Sequence, residues 1–150
     1  MPIEEQIQSL LRHVDLCHKR LAEFVLGLSG DFLFGDEAVV VHQVLLGSQL
    51  GTGVTLYHSI RIPASDGERE ASELNFTAAL TISGSTCSVE ARVRAFLESE
   101  VSDITSGEYD LFRTQDDGLG LDASLNVLER RVGEMCQLVD APERVGFARK

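Results

Sequence analysis

From Leu74 to Leu97 the chain alternates with a period of two along two arms, broken once at Ser83-Gly84-Ser85-Thr86. The period puts Phe76, Ala78, Leu80 and Ile82 on one face, beside Val89, Ala91, Val93, Ala95 and Leu97 of the second arm. A glycine between serines supplies the backbone freedom of a tight reversal, so the stretch reads as a β-hairpin with one apolar and one polar face. Two strands are not stable alone in water, and the rest of the chain must cover that apolar face.

Two amphipathic helices are available for the purpose. The first is predicted over residues 2–28, with Pro2 in its first turn and Glu4 and Glu5 at the positive end of its dipole. Ile3, Ile7, Leu10, Val14, Cys17, Leu21, Phe24 and Leu28 recur by four and three, and Leu11, His18 and Val25 widen the stripe enough to lie on a sheet. Gly30 is the expected left-handed cap. The second helix is predicted over residues 122–139, with Asp122 as its N-cap and Leu125, Leu128, Val132, Met135 and Val139 as its stripe. Gly133 within it implies a close neighbour. Pro142 ends the element, and residues 141–150 read as a basic, mobile tail.

Further strands precede and follow the hairpin. Ala38–Leu46 is a β-branched run, apolar on both faces, which argues for a central or doubly covered strand. Gly53–Ile62 answers it with Val54, Leu56, His58, Ile60 and Ile62 on one face, and residues 63–72 form a polar connection. A short fifth strand is expected within Glu108–Arg113, and Asp116-Asp117-Gly118-Leu119-Gly120 as a loop. The expectation is one α+β domain over residues 1–150. An antiparallel sheet of four or five strands spans residues 38–113, with both helices packed on one of its faces.

The charge balance restricts partners. Thirteen Lys and Arg against twenty-four Asp and Glu give a net charge of −11, which repels nucleic acid and anionic membrane surfaces alike, and no basic cluster offsets it. The three cysteines show no metal-ligand or disulfide spacing. With neither a secretory leader nor an apolar run of membrane-spanning length, the expected location is the cytoplasm.

Catalytic patterns are weak. Ser29, Ser48 and Ser85 each neighbour a glycine without forming a nucleophile elbow, and Gly51-Thr52-Gly53 opens a strand, so it is no phosphate cradle. Asp116 and Asp117 lack the alternating acids of a calcium loop. His13 and Cys17 are spaced for a thiol–imidazole pair, but Cys17 occupies the buried seam. Glu98 and Glu100 share a strand face and read as solvated charge. His42 and His58 would be directly opposed if their loop centres on Leu50. A metal there would need a third ligand from Cys17, His13 or His18, so the expectation is two hydrogen-bonded histidines, no metal and no cofactor.

Two features favour a protein partner. Glu98–Asp122 holds eight carboxylates against Arg113 alone, seven of the eleven net negative charges. Tyr109, Leu111 and Phe112 sit among Asp110, Asp116 and Asp117 as a candidate binding centre, and Tyr57 and Phe96 on the polar sheet face are of the type enriched at interface hot spots. The element order and acidity are loosely similar to small secretion chaperones and bacterial immunity proteins. That similarity implies a non-enzymatic interaction module binding a basic protein, with the regular helix seams raising a homodimer. The alternative is a small-ligand binder or metal-assisted enzyme centred on His42 and His58.

Overall fold

The computed structural model describes residues 3–35, 37–48, 51–63, 72–97 and 107–150. Its elements are α1 (Ile3–Asp31), β1 (Val39–Ser48), β2 (Gly51–Ile62), β3 (Ser72–Ser83), β4 (Thr86–Leu97), β5 (Gly107–Leu119), α2 (Leu121–Met135) and α3 (Ala141–Arg144). The strands form one open antiparallel sheet in the order β1-β2-β3-β4-β5, a plain meander. The α+β fold expected from the sequence is therefore present, with an N-terminal and a C-terminal helix.

The β3–β4 hairpin is the centre of the structure. Ser83 pairs with Thr86, leaving a two-residue turn in which Gly84 has φ +61° and Ser85 does not have positive φ. That combination fits a type II′ reversal, whose twist matches the strands. One face of the hairpin is buried except at Ile82, which is half-buried, and Phe76, Ala78, Val89, Ala91, Val93 and Ala95 have no exposed surface. α1 lies over β2 and β1, α2 lies over β4 and β3, and the two helices pack on each other. Cys17, Leu21 and Val25 of α1 and Leu128, Val132 and Met135 of α2 are completely buried in the shared core. Each fully buried Leu, Ile or Phe contributes ~1.5–3 kcal/mol. The close neighbour expected at Gly133 is Arg20 of α1, with a guanidinium nitrogen 3.4 Å from where a Cβ would stand.

Five expectations need correction. β1 is neither central nor doubly covered: it is an edge strand, and Val39, Val44, Leu45 and Leu46 are exposed. An apolar run marks surface that avoids water without saying which neighbour supplies the cover. β5 extends to Leu119, through the acidic stretch read as a loop. Register shifts opposite Val93/Arg94 and Cys87/Val89 leave extra residues at Leu111 and at Asp117-Gly118, the latter with φ +67° at Gly118. These bulges break the period-two pattern. α1 runs to Asp31 without a left-handed Gly30. α2 starts one residue earlier, with Gly120 at the N-cap and Asp122 inside its first turn, and it ends at Met135, leaving Val139 exposed.

The segment expected to be a mobile tail is docked instead. Leu33 N–H donates to the Ala148 carbonyl at 2.8 Å, and Lys150 N–H donates to the Asp31 carbonyl at 3.0 Å. The second bond satisfies an end carbonyl of α1, and so terminates a helix that lacks a glycine cap. Phe147 is buried against Phe34, ring centroids 4.8 Å apart, and the Arg149 guanidinium lies 4.7 Å over Phe32. Leu50, residues 64–71, and Glu98 and Glu100 lie outside the described residues.

Candidate functional site

The side of the sheet away from the helices has no covering layer among the described residues, and strand alternation places a continuous polar surface there. β2 contributes Tyr57 and Arg61, β3 contributes Glu73, Asn75 and Thr77, and β4 contributes Glu90, Arg92, Arg94 and Phe96. Glu108, Asp110, Arg113 and Gln115 come from β5. Carboxylates and guanidiniums are interleaved across neighbouring strands, and such pairs stabilise a sheet face by ~0.2–1 kcal/mol each. Arg92 donates to Asp110 at 2.9 Å, and Arg94 pairs with Glu108 and reaches Asp110 at 3.5 Å. The hydrogen bond from Arg92 is the main reason that the Asp110 carboxyl titrates below its usual range. Arg94 also lies over the Phe96 ring, 4.7 Å from its centroid. Tyr57 hydroxyl donates to Glu73, whose carboxyl is pushed up by burial, and Thr77 donates to Asn75.

The residues expected to bind a partner divide in two. Tyr57, Phe96 and Asp110 gather on this open face, and Asp117 sits at its edge, accepting from Gln115 at 2.8 Å. Asp116 belongs to the other side. Its oxygens accept two hydrogen bonds from Arg131 of α2, each 2.9 Å, and those bonds hold its carboxyl well below the usual range. Arg131 also holds Glu134, so Asp116 straps β5 to α2. Tyr109, Leu111 and Phe112 are half-buried and pack against the core. Arg131 was not legible as a partner because a contact between a strand and a helix leaves no periodic signal, and Glu73 was not because it meets Tyr57 diagonally, four residues from Thr77, the register partner of Tyr57.

A second constellation lies between α1 and the β1–β2 hairpin. His42 and His58 are directly paired across the strands, with their Nδ1 atoms 2.6 Å apart, and a register shift between Leu46 and Ser48 separates this pairing from the Ser48–Gly51 pair at the strand ends. At that distance one imidazole N–H faces the other ring's lone pair. His18 joins from α1, its ring centroid 4.8 Å from that of His58. His58 is fully buried, and burial, then the neighbouring His18 and His42, lower its pKa to about 4. His58 Nε2 and His18 Nδ1 are buried without a hydrogen-bond partner. Among the described residues no group of three or more His, Cys, Asp or Glu is arranged to hold a metal ion.

His13 and Cys17 do not form a reactive pair. His13 Nδ1 bonds the Ser9 carbonyl at 2.7 Å, while burial pushes the Cys17 thiol up to about 12. A thiol so disfavoured as thiolate is a core side chain. All three cysteines are free, and no helix among the described residues is long and apolar enough to cross a bilayer. No protein-family model matches the chain, and neither a curated protein nor a solved structure is significantly similar to it.

Proposed function

We propose that this chain is a non-enzymatic protein-interaction module, of the inhibitor or chaperone kind, that receives a basic protein on the open face of its sheet. The observation carrying this reading is the face itself. It is a bare layer on which Tyr57, Phe96, Arg92 and Arg94 stand as aromatic and guanidinium anchors beside Asp110 and Asp117. Anchors of these types dominate binding energy where they become desolvated, and charge around them accelerates encounter. The excess of acids over the whole chain supplies the attracting field. Asp110 is already paired with Arg92, so binding exchanges one cation for another and its affinity depends on the aromatic centre. The free cysteines fit a reducing, cytoplasmic setting.

The test is affinity capture from native lysate, followed by binding kinetics of the captured protein over a range of salt. The expected result is a basic protein whose association slows as salt rises. Salt-independent kinetics would reduce the acids to a solubility feature.

A second reading, a small-ligand binder or metal-assisted enzyme, rests on the buried, unpartnered imidazole nitrogens of His18 and His58. Stoichiometric metal in purified protein that disappears in the His42→Ala, His58→Ala double variant would favour it over the first.

A further inference from the structure

Between Glu37 and Arg61 the sequence has no Asp, Glu, Lys or Arg, although a quarter of the chain is charged. The fold makes this interval the β1–β2 hairpin and leaves β1 at the edge of the sheet, with β2 as its one strand neighbour among the described residues. An edge strand presents a row of unpaired backbone N–H and C=O groups and is usually guarded by charge, proline or brevity. β5, the opposite edge, is guarded by Glu108, Asp110, Arg113, Asp116 and Asp117 along its length and by two bulges. β1 has none of these guards from Val39 to Leu46, and Val39, Val44, Leu45 and Leu46 show large apolar surface on both of its faces.

The helix side of the same edge is equally bare. Ile3, Ile7 and Leu11 of α1 are exposed although they continue its buried stripe. Leu10, Leu11 and Val14 wall an apolar groove of about 110 Å³ whose other wall includes Leu46, Val54, Leu80 and Ile82. The uncovered strand and the uncovered end of the helix stripe are thus one continuous surface, joined at the groove that Leu11 and Leu46 both line.

We infer that this surface is the seat of a second copy of the chain, β1 pairing antiparallel with β1 of the partner copy about a two-fold axis. Charge selects a copy over a foreign chain. At −11 two molecules repel through most of their surface, whereas β1 carries no charge from Val39 to Ser48, and the acids beside this surface are Glu37 and, in the first turn of α1, Glu4 and Glu5. A partner chosen by charge, such as the basic protein of the proposed function, gains nothing from an uncharged strand.

Geometry agrees. Strands lie ~4.8 Å apart, and a helix over β1 and β2 stands about one strand spacing from the new axis. Its symmetry mate then lies ~10 Å away, the ordinary distance between packed helices. The ten-stranded sheet so formed carries α1 and α2 of both copies side by side, with the two α1 helices as the antiparallel central pair. The interface is isologous, so it closes at two copies and leaves only the charged β5 edges outside.

Sedimentation of the full chain at micromolar concentration tests this, with Leu45→Lys and Leu46→Lys placed at exposed positions of β1 and Gln115→Lys on β5 as control. The parent and the control should sediment at twice 16.4 kDa. Either β1 variant should raise the dimer Kd roughly 30-fold or more, the scale of losing a central interface residue. Raising salt should tighten the dimer by screening the repulsion. A second measurement needs no variant: amide exchange of the parent protein should show protection in residues 39–46 that falls on dilution. A monomeric parent, a dimer indifferent to both β1 lysines, or concentration-dependent protection in β5 in place of β1 would overturn the assignment.

Discussion

At the scale of single residues, Gly53 and His58 make the strongest commitments. A Cβ on Gly53 would collide with the Leu80 carbonyl oxygen, a contact that only a backbone shift relieves. Gly53→Ala should therefore destabilise the protein by about 1–3 kcal/mol or more in urea denaturation, the range for overpacking a well-filled site. A stability unchanged within 0.5 kcal/mol, about the spread of neutral surface substitutions, would mean that β2 and β3 lie further apart than described. His58 makes a pH prediction. Its pKa is near 4 when folded against about 6.5 when unfolded, so between those values the unfolded chain binds more protons. Stability from this group is fully present above about pH 6.5 and is lost as pH falls toward 4. Thermal melts should fall across that window, and His58→Phe, close in shape and unable to titrate, should flatten the fall. An equally steep fall in the variant would place the acid sensitivity elsewhere.

At the scale of elements, Asp116 and Asp110 look alike in sequence and act differently. Removing the strap between β5 and α2 by Asp116→Asn or Arg131→Met should cost about 1 kcal/mol, with a double-mutant cycle showing coupling. Asp110→Asn with Asp117→Asn should leave folding intact and slow association with the captured partner, changing the on-rate more than the off-rate. Equal effects of both changes on partner binding would contradict the division of the acidic strand into structural and docking halves. The same strand shows where sequence reading stops. β3 and β4 were legible almost to the residue, because their alternation is unbroken from Leu74 to Leu97 and Gly84 marks the turn. β5 was not, because two bulges shift its phase and place Asp117 and Gly118 where a loop is the simpler reading. The opposition of His42 and His58 was legible only on the condition of a loop centred on Leu50. The pairing occurs, but through a register shift between Leu46 and Ser48, and the choice of His18 over His13 or Cys17 as their neighbour depended on how α1 rotates over the sheet. β1 was misplaced because an apolar run does not say which neighbour covers it, and a run at the sheet edge reads the same as one at the sheet centre.

At the scale of the whole molecule, the chain separates its charge. Among the described residues, β1 and the apolar residues Ile3, Ile7 and Leu11 of α1 are uncovered, while the open sheet face and β5 are dense in ions. The two regions should respond to salt with opposite signs. Association of copies through β1 strengthens as repulsion is screened, and docking of a basic protein on the open face weakens. Docking on the open face should be visible in capture from one native lysate with the parent chain and a Tyr57→Ser, Phe96→Ser variant of matched thermal stability. A basic protein should be retained by the parent, be released as salt rises, and be absent from the variant. A protein retained equally by both, or capture indifferent to salt, would contradict it.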